Sequence, residues 1–169
     1  MIDLFSVGQA LGFLSFGLGI STFYQKNDRQ LKILMVFFNI NHLLHFLLLG
    51  SMVSALAAAL SALRTTTAIY TRSAYVAVAF ILLGMVVGIW AADDAVQLWP
   101  IIGTMIGTYS IFLLKGIAMR IGFLVGAGCW LVNNVMIGSI GGSLLEAALI
   151  VTNLITIKSL YFEEKQVVA

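Results

Sequence analysis

Residues 129–146 read C-W-L-V-N-N-V-M-I-G-S-I-G-G-S-L-L-E, and a similar stretch occurs earlier, at 41–58, as N-H-L-L-H-F-L-L-L-G-S-M-V-S-A-L-A-A. Placing Gly50 on Gly138 aligns the two stretches with an offset of 88 residues. In both, a Gly-Ser pair separates two long apolar runs, which is typical of a minimal turn between two helices. The pattern predicts one helical module that the chain uses twice.

The offset of 88 residues holds without gaps from 18–70 to 106–158. Chance matching between two segments rich in leucine, alanine and glycine is the alternative explanation. The aligned Gly-Ser pairs argue against chance, and so does a cation aligned with a cation, Lys32 with Arg120. Further identical pairs at this offset are Gly19 and Gly107, Ile33 and Ile121, Leu43 and Leu131, Ser51 and Ser139, Leu56 and Leu144, Ala59 and Ala147, and Ile69 and Ile157.

The composition indicates a membrane protein. The chain has 169 residues, of which 61% are hydrophobic and 9% charged, whereas a soluble domain averages roughly 45–50% apolar residues. A spanning helix needs about 20 mainly apolar residues, so seven of them use nearly the whole chain and leave no room for a separate water-side enzyme domain. The single cysteine, Cys129, excludes an internal disulfide framework.

Apolar runs and polar breaks predict seven helices. Gly8 and Gly12 have the GxxxG spacing that permits close helix approach in lipid. The start of the chain, Met-Ile-Asp, lacks a positive region, so the first helix is expected to be an anchor rather than a cleaved signal. The predicted spans are 2–24, 31–49, 52–70, 74–92, 101–114, 117–137 and 142–162, with a polar break at 25–30, an acidic loop at 93–100 and a solvated tail from 163.

The placement of charges supports this helix count. With seven spans, all nine Lys and Arg residues fall on or toward the end that holds the C-terminus, while Asp3, Asp93 and Asp94 lie at the other end. Six or eight spans would scatter the cations over both ends. Because cytoplasmic ends collect Lys and Arg, we expect a periplasmic N-terminus and a cytoplasmic C-terminus. This pattern also explains the basic charge without nucleic-acid binding.

The seven helices are predicted to form two parallel three-helix repeats joined by a linker helix, a 3+1+3 plan. The first repeat is 1–72, the linker helix and acidic loop are 73–97, the second repeat is 98–162, and 163–169 is a cytoplasmic tail. The lone fourth helix restores the direction of the chain, so that both repeats have the same orientation. Parallel repeats about an axis near the membrane normal are a transporter plan.

Two motifs resemble a known family. The stretch at 17–32, G-L-G-I-S-T-F-Y-Q-K-N-D-R-Q-L-K, and the stretch at 129–146 look like the YgjV family of bacterial inner-membrane proteins. This resemblance implies a location and a fold, and no activity. Helix count and repeat boundary more distantly resemble the SWEET/PQ-loop (MtN3-like) transporter fold, in which a tryptophan and an asparagine surround the sugar. Trp130 and Asn153 match in kind, but the one proline, Pro100, departs from the proline-containing bending helices of SWEET relatives.

Polar side chains inside spans are costly and usually face a bundle interior or a watery cavity. The offset pairs His42 with Trp130 and His45 with Asn133, so we expect these positions to face each other across the axis between the repeats. The hypothesis is a substrate pocket in which Trp130 stacks and the others form hydrogen bonds; the alternative is that they only bond helix to helix. The predicted binding residues are His42, His45, Trp130, Asn133 and Asn153, with Asn39, Asn41, Arg64, Asn134 and Glu146 as secondary candidates.

The two charged candidates have structural explanations. Arg64 lies about one and a half to two turns from the inner end of helix three, within snorkelling reach, so an anchor is favoured over an anion site. Glu146 lies about one turn past Gly142, where a carboxylate would complement the helix N-terminus. Its functional reading is a proton or cation acceptor.

The sequence favours a small-solute transporter or facilitator; the rival is a non-transporting receptor or assembly factor whose polar residues only hold the bundle. No nucleophile–base or carboxylate pair in the spans indicates an enzyme. His42 and His45 lack a third His and a nearby carboxylate, so no closed metal site is expected, nor any cofactor. The expected partners are the lipid bilayer and a small polar solute, and a homo-oligomer is possible but not required.

Overall fold

The computed structural model describes the backbone of residues 4–168 and the side chains of residues 7–163. Over that backbone the chain is entirely helical, with no strand, and its seven long helices are all apolar enough to cross a membrane. The all-α fold and the seven spans are thus confirmed. The helices are α1 (Leu4–Tyr24), α2 (Asp28–Leu48), α3 (Met52–Tyr70), α4 (Ala74–Ala91), α5 (Trp99–Leu113), α6 (Gly116–Met136) and α7 (Ile140–Val168), with a 3-10 turn at Ala95–Leu98 before α5.

Four helix ends differ from the prediction by two residues or more: the starts of α2, α5 and α7 and the end of α7. α2 begins at Asp28 rather than 31, because the Asn27 side chain accepts hydrogen bonds from the backbone N–H groups of Arg29 and Gln30 and caps the helix. Pro100 lies in the first turn of α5, where its missing N–H is not needed. α7 continues to Val168 instead of ending near 162. The predicted start at Ile2, the outer Asp3 and the side chain of Lys165 lie outside the described residues.

The turns at Gly50 and Gly138 have the same backbone structure. Their φ angles are 76° and 69°, in the left-handed region that glycine adopts without a Cβ clash. In each turn the backbone N–H of the serine closes a Schellman motif. Ser51 N–H donates to Phe46 O at 3.0 Å, and Ser139 N–H donates to Asn134 O at 2.9 Å. A minimal turn therefore joins α2 to α3 and α6 to α7, as the Gly-Ser pairs predict.

Substituting either turn glycine is expected to destabilise the protein. Gly50→Ala or Gly138→Ala should lower the free energy of unfolding by about 1–2 kcal/mol, since an L-residue is strained at this φ. Gly128→Ala is the matched control, because Gly128 lies within α6 with no heavy atom within 4 Å of an added Cβ. Thermal unfolding in detergent, followed by circular dichroism, measures the difference. Equal midpoints for turn and control variants would contradict the strain argument.

Six of the helices form a closed ring. Around it the order is α1, α2, α3, α5, α6 and α7, and α7 packs back against α1. α4 lies outside the ring, against α3 and α5, and its outer face carries exposed apolar side chains such as Trp90. The description of the two halves as repeats stays a prediction.

The two ends of the ring differ in chemistry. The turn end holds the turns at Gly50 and Gly138; the cation end holds the connections at 25–27, 71–73 and 114–115. At the cation end, three basic side chains bind carbonyls at the C-terminal ends of α1, α3 and α5, where a positive charge is favourable. These bonds are Arg120 Nη2 to Gln25 O at 2.6 Å, Lys32 Nζ to Ala68 O at 2.8 Å, and Arg72 Nη2 to Leu114 O at 2.6 Å. These three cations therefore bind the ends of neighbouring helices, besides the role in membrane orientation that we expect of them.

Candidate functional site

A cavity of about 60 Å³ lies inside the ring. Each of the six ring helices contributes to its wall, and among the described side chains α4 contributes none. The volume corresponds to a few water molecules, far below the roughly 300–1,000 Å³ of sites for drug-sized ligands. Its polar wall residues are Asn39, His42, Ser61, Arg64, Trp130 and Glu146.

Apolar side chains and glycines shape the remaining wall. Phe23 and Phe123 meet edge to face toward the cation end, with ring centroids 5.6 Å apart. Gly103 and Gly107 of α5 also line the cavity. A Cβ on Gly107 would lie 2.8 Å from Nη2 of Arg64. The missing side chain at Gly107 therefore makes room for the guanidinium group.

The wall residues correspond across the two halves of the chain. Among the side chains of residues 7–163, sixteen line the cavity, and twelve of them form six pairs whose members are 88 positions apart. His42 and Trp130, which the offset pairs, do face each other: their rings stack with centroids 6.3 Å apart and planes 22° apart. The six pairs are Met35 and Phe123, Phe38 and Gly126, Asn39 and Ala127, His42 and Trp130, Ala58 and Glu146, and Ser61 and Leu149.

Arg64 is a buried wall residue of the cavity. Its exposed fraction is 5%, and its guanidinium group lies against Gly107 of α5. Within the part of the chain that the structure describes, Nε and Nη1 have no hydrogen-bond partner. The expectation of a snorkelling anchor is wrong, because the side chain turns into the ring rather than along the outside toward water.

Glu146 is the second charged wall residue. α7 begins at Ile140, so Glu146 lies six residues past the start of the helix instead of the expected four. At that depth a carboxylate does not complement the helix N-terminus, whose effect falls off within the first turn. Its exposed fraction is 4%. It forms no ion pair with Arg64 and no hydrogen bond with any side chain or backbone group among the described residues. The cavity wall thus carries one basic and one acidic side chain that do not contact each other.

His45 and Asn133 lie nearer the turn end and do not line the cavity. His45 Nδ1 donates to Gly8 O at 2.6 Å, since a carbonyl can only accept, and its Nε2 therefore accepts from Ser139 Oγ at 2.8 Å. Asn133 Oδ1 accepts from Ser54 Oγ at 3.1 Å. The predicted facing pair of His45 and Asn133 is thus replaced by two separate bonds, because each side chain finds a hydroxyl partner on another element.

These two bonds join the halves of the chain. The bond from Ser139 to His45 links the second turn to α2, and the bond from Ser54 to Asn133 links α3 to α6. We call these four residues the turn-end clasp. The turn-end clasp joins the two halves of the helix ring by two hydrogen bonds, in addition to the stacking of the His42 and Trp130 side chains.

The other predicted asparagines have separate positions. Asn39 lines the cavity, and its Nδ2 lies 3.5 Å from Thr65 Oγ1. Asn41 ties α2 to α1 through Leu11 O at 2.8 Å and Ser15 Oγ at 2.7 Å. Asn153 donates to Arg120 O at 2.7 Å. Asn41, Asn153 and the fully buried Asn134 are not part of the cavity wall.

Comparison with known proteins decides the family. The model of the Imp-YgjV family, described as bacterial inner membrane protein, matches residues 6–164. The chain belongs to the Imp-YgjV family. It is also 33% identical over 147 residues to the inner membrane protein YgjV of Escherichia coli (strain K12), which covers 87% of this chain and 80% of that protein. No solved structure matches the chain. This Imp-YgjV protein is therefore a multi-pass protein of the bacterial inner membrane, and its likeness to the SWEET fold stays a prediction.

Sequence reasoning missed several wall residues of this Imp-YgjV protein. Ser61, Gly103 and Gly107 line the cavity but were not predicted. One signal for Ser61 is its register: it is three residues after Ala58, which the offset pairs with Glu146. Applying the offset of 88 residues to every position on the same helix face, and not only to the polar ones, would have identified Ser61 as a wall residue.

Proposed function

We propose that this Imp-YgjV protein is a non-enzymatic transporter or facilitator of a small polar solute, and that the cavity inside the ring is its binding site. The observation that carries the proposal is a wall made by all six ring helices in which polar groups lack partners. The six pairs of wall residues 88 positions apart support a site between two halves of the chain. Parallel-repeat transporters bind their substrates at such an interface.

Some polar residues near the cavity are fully paired and some wall residues are not, although Asn133, Asn134, Asn153 and Arg120 also have unpartnered atoms away from the cavity. His45 and Asn41, which bind neighbouring helices, have their hydrogen bonds satisfied. His42 Nε2 and two nitrogens of Arg64 are buried without a partner in the region that the structure covers. An unsatisfied buried polar group costs about 1–3 kcal/mol, and more when charged, so a solute that bonds the wall residues would recover part of this cost.

Access would alternate between the two ends of the ring. Opening the turn end requires loss of the two bonds of the turn-end clasp, and opening the cation end requires separation of Phe23 from Phe123. Both changes are modest in energy, because a typical hydrogen bond contributes roughly 0.5–1.5 kcal/mol and an aromatic pair a similar amount. The proposed orientation places the cation end, and the C-terminus, in the cytoplasm.

Ligand-dependent thermal stability of the purified protein in detergent tests the proposal. The solute set contains sugars, amino acids, nucleobases, organic acids and metal ions. A ligand at about 100 times its Kd adds roughly 2.7 kcal/mol to the folded state. We expect at least one solute to stabilise the wild type and to lose its effect in Trp130→Ala. Trp90→Ala, a change on the outer face of α4 at a side chain that is 80% exposed, is the control and should keep the effect.

A stabilising solute is then tested for uptake into vesicles that contain the reconstituted protein. A stabilising effect that is the same in Trp130→Ala and the wild type would move the site away from this cavity. Failure of every solute, with Trp130→Ala merely less stable, would favour the rival role, a membrane receptor or assembly factor that acts through another protein.

A further inference from the structure

The two charges of the cavity indicate what kind of solute it binds; this inference rests on the proposed function. Arg64 comes from α3 and Glu146 from α7, and both are at least nine-tenths buried. They do not form an ion pair, and neither has another charged partner among the described residues. Ionisable groups inside a membrane bundle usually pair with each other or serve a ligand or ion pathway. Here the direct pair is absent.

Their positions along the helices explain why they do not pair. The offset matches Glu146 to Ala58 of α3, and Arg64 lies six residues beyond Ala58 toward the cation end. Six residues of helix span about 9 Å. The positive group therefore lies nearer the cation end of the cavity and the carboxyl group nearer the turn end, with Ser61 between their levels on α3.

We propose that the cavity binds a small zwitterion, with its anionic group at Arg64 and its cationic group at Glu146. The guanidinium of arginine binds a carboxylate through charge-assisted hydrogen bonds, and Nε and Nη1 of Arg64 have no hydrogen-bond partner among the described residues. The carboxyl group of Glu146 accepts hydrogen bonds from an ammonium group. Trp130, on the same wall, presents a ring to which a cation is attracted.

Other solute classes leave one charge without a partner. A simple anion would bind Arg64 and leave Glu146 facing it in the same small space. A simple cation would leave Arg64 unpartnered, and a neutral solute would leave both ionisable side chains without an ionic partner. The volume of about 60 Å³ restricts the solute to a few heavy atoms in this conformation. A small amino acid has the required size and charge.

Four solutes of similar size test the proposal: glycine, acetate, methylammonium and acetamide. The unfolding midpoint of the purified protein in detergent is measured with each at the same concentration and ionic strength. We expect glycine alone to stabilise the wild type. Arg64→Gln and Glu146→Gln should each weaken the apparent affinity for glycine at least tenfold, about the effect of losing one hydrogen bond to a charged group. Lys115→Gln, at an exposed cation on the cation end, controls for net charge and for general effects of glycine on stability.

Each other outcome contradicts the zwitterion. If acetate stabilises the wild type as strongly as glycine and its effect is unchanged in Glu146→Gln, the cavity is an anion site. If methylammonium does so and its effect is unchanged in Arg64→Gln, the cavity is a cation site. If a different solute stabilises the protein through Trp130 while glycine does not, the zwitterion is wrong and the transporter proposal stands. If no solute does, both fail. Should a charge variant not fold, the comparison of the four solutes on the wild type still decides the class.

Discussion

Replacing Gly141 with alanine is expected to lower the free energy of unfolding by about 2–3 kcal/mol, near the upper end for overpacked sites. A Cβ on Gly141 would lie 2.7 Å from the carbonyl carbon of Gly12 and 3.0 Å from the backbone nitrogen of Phe13. Backbone atoms cannot rotate away as a side chain can, so α1 and α7 would have to separate where they close the ring. For a chain of this size the midpoint falls roughly 2–4 °C per kcal/mol.

Gly128→Ala, which meets no atom within 4 Å, is again the control for a glycine-to-alanine change within a helix. Thermal unfolding of both variants in the same detergent gives the comparison. A Gly141→Ala protein as stable as Gly128→Ala would mean that α1 and α7 do not approach as closely as described.

Arg120→Met is expected to cost about 1–3 kcal/mol, the penalty for a buried polar group that loses its hydrogen-bond partner. Arg120 is fully buried, and its guanidinium donates to Phe23 O at 3.3 Å and Gln25 O at 2.6 Å, at the end of α1. Methionine fills part of the volume but leaves Gln25 O without its side-chain donor, while Phe23 O keeps the hydroxyl of Thr156 at 3.2 Å. Arg120→Lys keeps the charge and one donor, so its loss should be intermediate.

Lys115→Met removes an exposed cation just before α6 and should change stability by no more than about 0.5 kcal/mol, the usual range for surface substitutions. Urea or thermal unfolding of the four proteins ranks them. Equal stability of Arg120→Met and Lys115→Met would refute the anchoring role of Arg120 at α1.

The helices and turns could be predicted because their signals are local. A spanning helix is set by its own apolar length, and the turns at Gly50 and Gly138 by one glycine with positive φ. The offset also placed His42 opposite Trp130, since corresponding positions on corresponding helices share a depth and a face. His45 and Asn133 are three residues, about 4.5 Å, nearer the turn end, where hydroxyl groups of other elements reach them.

The roles of Arg64 and Glu146 could not be predicted from their own helices. Depth along a helix follows from the residue number, but the direction of a long side chain depends on what the neighbouring helix leaves open. For Arg64 that opening is Gly107, which is 43 residues away in the sequence and on another helix. The close packing of Gly12 on Gly141 is equally non-local, although the glycine spacing on α1 indicated a close approach of some kind.

The pairs of wall residues have a consequence for the history of such a molecule. In a dimer of identical three-helix chains, every side chain beside the axis meets its own copy, so a guanidinium would face a guanidinium. A fused chain is free of that restriction: the position 88 residues after Arg64 holds Thr152, and the position 88 residues before Glu146 holds Ala58. If the two halves are repeats, as predicted, one wall can therefore carry a basic side chain and the other an acidic one. The zwitterion proposed above would be held in such a cavity in a single orientation.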